Sequence, residues 1–252
     1  MAGSLYYGIG FPYLKLDRSS LQGKLIVVEG ADCSGRSTQI AMLKPWLEAC
    51  GHAVLDTGLR RSDLVSEAID EAKKGHTLGK NTLSLLYATD MADQLENKII
   101  PALKAGFIVL ADRYIFTLMV RDLVRGADKE WLQELFGFAL VPDYIFYMSV
   151  DPEALLHRAL LKYGHLDYWE SGMDVCLSSD MFESFKKYQG ALKDEFDMLA
   201  VEYGFDVVDG SRPPEEINEY MRSRVSEIIG SPSAGPEAGS RARPKKPRAR
   251  QA

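Results

Sequence analysis

Three features are scarce in this chain: cysteine, long apolar runs and an N-terminal basic cluster. The cysteines, Cys33, Cys50 and Cys176, are odd in number and show no Cys-x-x-Cys spacing, which argues against a disulfide framework and a zinc site. No run of eighteen apolar residues occurs, so no transmembrane helix is expected. Residues 1–20 lack an early basic cluster and their apolar part is broken by glycine and proline, unlike a signal peptide. These absences predict a cytoplasmic protein that does not bind a membrane.

The charge of the chain is divided unevenly. The net charge of the 252 residues is −6, but residues 231–252 contain six Lys/Arg and one Glu. The other 230 residues therefore hold 24 basic and 35 acidic side chains, a net charge of −11. Such a body repels nucleic-acid phosphates, so general nucleic-acid binding is not expected and a phosphate site must be a local basic pocket. The composition of 231–252, rich in Pro, Gly, Ala, Ser and basic residues, predicts a disordered basic tail.

Short apolar runs alternate with helical patterns along residues 23–230. This alternation predicts an α/β domain with a five-stranded parallel sheet that is flanked by helices on both faces. Ligands of such sheets bind at the carboxyl ends of the strands. The predicted strands are 24–29, 53–56, 107–110, 144–150 and 205–208.

Helical periodicity fills the segments between the predicted strands. The first helix is expected over 36–49 with an interruption at Pro45, and Asp128 is the expected cap of a helix through 139. Residues 1–22 are expected to form an irregular extension whose aromatic side chains, Tyr6, Tyr7, Phe11 and Tyr13, pack back on the domain. The other predicted helices are 62–74, one from 81 into the turns around 101, one from 152, 179–203 and one that ends near 229.

The stretch 25–38, Leu-Ile-Val-Val-Glu-Gly-Ala-Asp-Cys-Ser-Gly-Arg-Ser-Thr, carries the clearest functional signal. An apolar strand ends at Gly30, a glycine turn follows, and a helix begins after Gly35. The segment fits Gly-x-x-x-x-Gly-Lys-Ser except that Arg36 replaces the lysine. In this pattern, backbone N–H groups and the helix dipole bind a phosphate, and the hydroxyl of Ser37 binds its magnesium ion. The predicted phosphate site is Gly30, Ala31, Asp32, Cys33, Ser34, Gly35, Arg36, Ser37 and Thr38.

Several further motifs follow this loop in a characteristic order. They are Ser-Thr-Gln at 37–39, Leu-Leu-Tyr-Ala-Thr-Asp at 85–90, Asp-Arg-Tyr at 112–114, Pro-Asp at 142–143 and Val-Asp-Pro-Glu at 150–153. With these motifs, the chain from residue 24 to residue 229 resembles a thymidylate kinase of the nucleoside monophosphate kinase group. The resemblance implies a P-loop NTPase-type fold with a lid segment, and transfer of the ATP γ-phosphoryl to dTMP. It also implies ATP and Mg²⁺ as cofactors, nucleotides as partners and a homodimer.

The resemblance assigns roles to individual residues. Asp32 would accept a hydrogen bond from the 3′-hydroxyl of the acceptor, and Tyr87 would stack on its base, although the helical spacing of Tyr87 fits a core position equally well. Arg113 would reach the transferring and acceptor phosphates, while Asp112 would orient it or hold a water of the magnesium shell. The catalytic residues implied are Arg36, Asp112 and Arg113. Tyr114, Thr117 and Arg60 are implied at the acceptor, Arg158 and Lys162 in the lid, and Ser37 and Asp112 at the metal.

Two departures from the family pattern concern the acceptor. The family places an arginine soon after the second strand in an Arg-x-Pro setting, whereas Arg60 and Arg61 arrive here two or three residues later. Met91 stands where the family has an arginine that reads the base, and a methionine cannot donate a hydrogen bond to a base carbonyl. These differences leave open a kinase for another nucleotide or small phosphorylated acceptor.

Other departures concern the cations of the transition state. The lysine of the loop is Arg36, and Cys33 holds a loop position that can supply an arginine in this group of kinases. The lid, expected over residues 162–178, offers Lys162, with Arg158 on the helix before it. Arg36 and Arg158 are therefore the expected substitutes. A nucleotide-binding pseudokinase with a regulatory role is the second alternative.

Overall fold

The computed structural model describes residues 4–75 and 79–230. Five parallel strands form one sheet in the order β2-β3-β1-β4-β5, so β1 is central. The predicted disordered tail at 231–252 lies outside the described residues. The strands are β1 Lys24–Gly30, β2 Val54–Gly58, β3 Ile108–Asp112, β4 Tyr144–Ser149 and β5 Asp206–Asp209.

Helices cover both faces of the sheet, as the alternating pattern predicts. They are α1 Arg36–Ala49, α2 Ser66–Gly75, α3 Lys80–Gln94, α4 Ile100–Lys104, α5 Ile115–Val124, α6 Lys129–Leu135, α7 Pro152–Tyr163, α8 Met181–Tyr203 and α9 Pro214–Ile229. A π-helical stretch, Leu95–Ile99, joins α3 to α4, and short 3₁₀ turns lie at Arg18–Ser20 and Met173–Val175. None of the described helices is long and apolar enough to span a membrane.

The side chains of β1 alternate between two hydrophobic layers, because successive residues of a strand point to opposite faces. Leu25 and Val27 join the layer that contains α3, α5 and α8. Ile26 and Val28 join the layer under α1 and α9. This burial on both faces explains the continuously apolar sequence of the strand.

The structure differs from the sequence prediction mainly at α5, which was not predicted. Ile115 through Val120 are buried one after another, so this stretch lacks the alternation of buried and exposed positions that marks a surface helix. Pro45 does not interrupt α1, which runs through it from Arg36 to Ala49. A proline loses a helical hydrogen bond, and the buried face of Ile40, Leu43 and Leu47 holds the helix together here.

The N-terminal segment packs on the domain through three of its four aromatic residues. Phe11 is buried, and Tyr6 and Tyr7 are half-buried against the same core. Tyr6 also forms an isolated antiparallel bridge with Leu140. Tyr13 does not follow the prediction, because its side chain is 67% exposed.

Candidate active site

A cavity of about 740 Å³ opens at the carboxyl edge of the sheet. The loop after β1, helices α2, α3 and α5, and the segment after α7 line it. Ten basic and five acidic residues face it, a net charge of +5 within an acidic body. It is thus the local basic pocket that the charge distribution requires. The basic residues are Arg36, Arg60, Arg61, Lys73, Lys80, Arg113, Arg121, Arg125, Arg158 and Lys162.

The loop between β1 and α1 has the conformation of an anion-binding turn. Gly30 has φ +141° and Gly35 φ +104°, backbone conformations that L side chains rarely adopt. A Cβ on Gly30 would also lie 2.8 Å from the carbonyl oxygen of Met148. Gly35 caps α1, so the positive end of the helix dipole faces the cavity.

Arg36 is buried and turned toward the loop itself. Its Nε donates to Asp112 Oδ1 at 2.8 Å, and its Nη1 donates to the carbonyl oxygens of Gly30 and Ala31. The hydroxyl of Ser37 donates to the other oxygen of Asp112 at 2.6 Å. One guanidinium therefore braces the loop against the end of β3, and Asp112 joins Arg36 to Ser37.

Arg113 occupies the next position and has a left-handed backbone, with φ +71°. Its guanidinium pairs with Asp32 Oδ1, while Arg121 Nη2 donates to Asp32 Oδ2 at 2.7 Å. Burial lowers the pKa of Arg113 to about 9, and the neighbouring Arg121 adds to this effect. Asp32 thus links the phosphate loop to Arg113 and Arg121. We call these two arginines the acceptor wall, after the role that the resemblance implies for Arg113.

The far end of the cavity is both basic and aromatic. Arg60 lies on a turn that Asp90 holds, because its carboxylate accepts the backbone N–H of Arg60 at 2.8 Å and of Ser62 at 2.9 Å. Burial, and then the nearby Arg121 and Arg60, lower the pKa of Lys73 to about 8. Tyr87 faces this end of the cavity while being 7% exposed.

The segment after α7 closes over the cavity through polar contacts. Arg125 donates to both carboxylate oxygens of Asp174, at 2.7 and 3.1 Å, and to the hydroxyl of Tyr188 at 2.6 Å. The indole N–H of Trp169 donates to the backbone carbonyl of Lys73 at 3.2 Å. On α8, the hydroxyl of Ser184 donates to Ser171 O at 2.8 Å. The segment is therefore attached to the end of α5, to α8 and to α2.

Arg158 on α7 points to the base of the phosphate loop. Its Nη2 donates to Gly210 O at 2.8 Å, and its Nη1 lies 3.4 Å from the carbonyl oxygens of Cys33 and Ser34. Lys162 lines the cavity one turn later, with its ammonium 4.8 Å from the ring centroid of Tyr163.

Comparison with known proteins agrees with this geometry. A sequence profile described as thymidylate kinase matches residues 28–219. The chain belongs to the thymidylate kinase family. It is 37% identical to the probable thymidylate kinase 2 of Saccharolobus solfataricus over 210 residues, 83% of this chain and 98% of the relative. It is 31% identical to the thymidylate kinase of Caldicellulosiruptor saccharolyticus over 221 residues, again 83% of this chain and 98% of the relative.

Most of the residues that the resemblance to thymidylate kinases implies lie together at the cavity. Gly30 and Ala31 form the first part of the loop, and their carbonyl oxygens face Arg36. The residues that line the cavity directly are Asp32, Cys33, Ser34, Gly35, Arg36, Ser37, Thr38, Arg60, Tyr87, Asp112, Arg113, Arg158 and Lys162.

Two implied acceptor residues do not reach the cavity. Tyr114 is fully buried, and its hydroxyl donates to Leu140 O at 3.0 Å. Thr117 is also buried, and its hydroxyl donates to Glu29. Both side chains are on the core side of α5, because the N-terminal turn of this helix is held against β1. Met91 likewise belongs to the core, at 2% exposure.

The sequence analysis missed Arg121, Arg125, Lys73 and Trp169 as cavity residues. Arg121 and Arg125 are four apart, one helical turn, and a prediction of α5 would have placed them on one face. For Lys73 and Trp169, nothing in the local sequence marks them, because α2 and the segment after α7 come together only in the folded chain.

Proposed function

We propose that this chain is a dTMP kinase, which transfers the γ-phosphoryl group of ATP to the 5′-phosphate of dTMP to give dTDP. The observation that carries the proposal is the continuous basic cavity that joins the phosphate loop to the Tyr87 end. Asp112 and Arg113 lie between the two ends. The family membership of the chain agrees with this proposal, and the names of its relatives favour dTMP over the two alternatives from the sequence.

The residues divide the work of phosphoryl transfer, which consists largely of positioning and charge neutralisation. The backbone of the loop would bind the β- and γ-phosphates of ATP. Arg113 and Arg121 would neutralise the acceptor phosphate, since both guanidiniums face the cavity beside Asp32. Tyr87 would lie against the base, and Lys162 would approach the phosphates from the lid.

Ser37 and Asp112 fit a magnesium ion. Their side-chain oxygens are 2.6 Å apart and are of the hard type that Mg²⁺ prefers. Within residues 4–75 and 79–230, no group of three or more His, Cys, Asp or Glu could hold a metal. A pair is enough in nucleotide sites, where substrate phosphates and water complete the shell. When bound with ATP, the ion supplies positive charge to the phosphates.

A coupled ADP-release assay across nucleoside monophosphates tests the proposal. We expect the highest kcat/KM with dTMP, and loss of turnover in Arg113→Ala, which removes a cation from the acceptor wall. Turnover restricted to another acceptor would show that dTMP is the wrong substrate. Binding of ATP by calorimetry without turnover of any acceptor would instead indicate a pseudokinase.

We also propose a cytoplasmic homodimer whose domain spans residues 23–230, after an extension at 1–22. The support is the family resemblance and the absence of any membrane-spanning helix among the residues described. The acidic body is proposed not to bind nucleic acid in general, because its charge opposes phosphate. Light scattering after gel filtration tests the dimer, and a monomeric mass at micromolar concentration would contradict it.

A further inference from the structure

Glu29, the penultimate residue of β1, is a fully buried carboxylate outside the cavity lining. All of its hydrogen bonds come from the start of α5. One carboxylate oxygen accepts the backbone N–H of Tyr114 at 2.8 Å and of Thr117 at 3.3 Å. The other oxygen accepts the hydroxyl of Thr117. The first N–H groups of a helix have no partner within the helix, so Glu29 caps α5 from another element.

The residue between Asp112 and this capped turn is Arg113, whose φ of +71° is unfavourable for a side chain other than glycine. Such a conformation persists only where neighbouring contacts enforce it. Here β1 supplies contacts on both sides. The backbone N–H of Arg113 donates to Val28 O at 3.0 Å, and the next N–H, that of Tyr114, donates to Glu29.

We propose that Glu29 is a positioning residue for phosphoryl transfer, which holds Arg113 and the first turn of α5 in the geometry that brings Arg113 beside Asp32. The inference rests on the proposed function of the cavity. It gives the buried carboxylate a role that needs no contact with substrate. Because α5 also carries Arg121, a shift of its first turn would move both arginines that pair with Asp32.

The charged form of Glu29 is the better cap, since a carboxylate can only accept hydrogen bonds and all three partners are donors. Arg36 from α1 and Arg113 from the β3–α5 turn are the cations that face it. Tyr7 of the N-terminal segment also faces it, and Tyr114 and Thr117 are its partners on α5. Burial raises the pKa of Glu29 to about 7, so protonation in mildly acidic solution would weaken the cap.

The test compares Glu29→Ala and Glu29→Gln with the wild-type chain. Glu29→Ala removes every acceptor, and a misplacement of about 1 Å can cost about a hundredfold in rate. We expect kcat with ATP and dTMP to fall by about that factor, while the KM for ATP stays within about twofold. Glu29→Gln keeps one oxygen for the two backbone N–H groups and should recover most of the activity. If the kcat of the wild type falls below about pH 7, the kcat of Glu29→Gln should not show that fall.

Asn218→Ala is the matched control. Asn218 is buried on α9, and its amide donates to Gln39 on α1. Both helices cover the face of the sheet that is opposite α5. Loss of Asn218 should lower the melting temperature without changing kcat. Equal kcat in Glu29→Ala and Asn218→Ala would overturn the inference. If Glu29→Ala does not fold, Thr117→Val removes one donor at nearly constant volume, and an unchanged kcat in that variant would overturn it as well.

A measurement that does not depend on turnover separates this inference from the proposed function. If the wild type phosphorylates no acceptor, the proposed function is wrong. Amide hydrogen exchange then decides the role of Glu29. Faster exchange at Tyr114 and Thr117 in Glu29→Ala than in the wild type at pH 8, with exchange in β4 unchanged, would show that the carboxylate anchors this turn. Unchanged exchange at both amides would contradict it.

Discussion

At the scale of single residues, Arg36 shows how a substitution in the phosphate loop changes its structure. A guanidinium is planar and carries five N–H donors in a fixed arrangement, whereas an ammonium is a compact point charge. Arg36 uses this breadth to contact Asp112, Gly30 O and Ala31 O together. A lysine could not reach all three acceptors from one nitrogen. The arginine therefore has a structural role in the loop besides supplying charge.

Two smaller replacements of Arg36, alanine and lysine, are both expected to lower activity. Arg36→Ala should reduce single-turnover phosphoryl transfer by about a thousandfold or more, the loss typical when an arginine that neutralises the transition state is removed. Arg36→Lys should also reduce the rate, because the contacts with Asp112 and the loop carbonyls cannot all form. ATP affinity, measured alongside, separates binding from chemistry. A faster lysine variant would indicate instead that Arg36 is a degenerate residue.

Lys73 is expected to make acceptor use depend on pH. Its pKa is lowered to about 8, so the free enzyme loses a cation from the acceptor end as the pH rises from 7 to 9. The kcat/KM for dTMP should therefore fall severalfold over this range, since kcat/KM reports groups of the free enzyme. Lys73→Arg stays protonated throughout and should reduce this fall to the part that comes from Arg113, whose pKa is lowered to about 9. The same pH profile of kcat/KM in both proteins would exclude Lys73 as the source of the fall.

At the scale of elements, α5 connects the cavity wall that carries Arg113 and Arg121 to the segment after α7. It begins at the Glu29 cap, carries Arg121, and ends beside Arg125. Arg125 reaches Asp174 in the segment after α7 and Tyr188 on α8. Helix α5 thus has polar contacts at both ends and along one side. These contacts set its position relative to β1 and to the segment after α7.

Removing the Arg125–Asp174 contact should destabilise the domain measurably. Both side chains are largely buried, at 10% and 15% exposure, and hydrogen bonds to charged groups contribute about 1.5–3 kcal/mol. We expect Asp174→Asn to lower the free energy of unfolding in urea by about 2 kcal/mol. Glu216→Gln breaks the exposed Arg212–Glu216 pair and should cost only about 0.3 kcal/mol. Equal losses of unfolding free energy in the two variants would mean that the Arg125–Asp174 contact is no stronger than a surface pair.

At the scale of the whole molecule, a basic cavity lies within an acidic body. The lining carries a net charge of +5, whereas residues 1–230 carry −11. A concave basic site concentrates field lines and attracts anionic ligands such as nucleotides. The charge distribution therefore favours anionic ligands that are small enough to enter the cavity.

Deleting residues 231–252 is expected to leave stability and nucleotide binding essentially unchanged. This segment has no apolar anchor, and its charge of +5 follows the residues that the family profile matches. The melting temperature and ATP affinity of chain 1–230 would be compared with those of the full chain. A second variant with the six basic residues changed to serine controls for charge. A fall of several degrees on truncation would show that the tail packs on the acidic body.

The parallel sheet, the phosphate loop and the place of Asp112 and Arg113 at a strand end were predictable from the sequence. These features depend on local periodicity and on glycine spacing, which a single sequence displays. The phosphate-site residues followed from the glycine loop, whereas the catalytic and lid residues were implied by the resemblance to thymidylate kinases. The roles of all these residues remain predictions. The motifs did not show that Arg121 lies beside Arg113 in the acceptor wall.

The face of α5 that meets the cavity depends on contacts between distant parts of the chain. Thr117 and Arg121 are four residues apart on this helix, yet Thr117 turns to Glu29 and Arg121 to Asp32. Periodicity cannot separate them, because residues four apart lie on the same face of a helix, and the rotation of α5 is set by the cap on β1. Lys73 and Trp169 meet across 96 residues of chain. Contacts between distant segments depend on how whole elements pack, and that information is spread over the entire core rather than held in a local pattern.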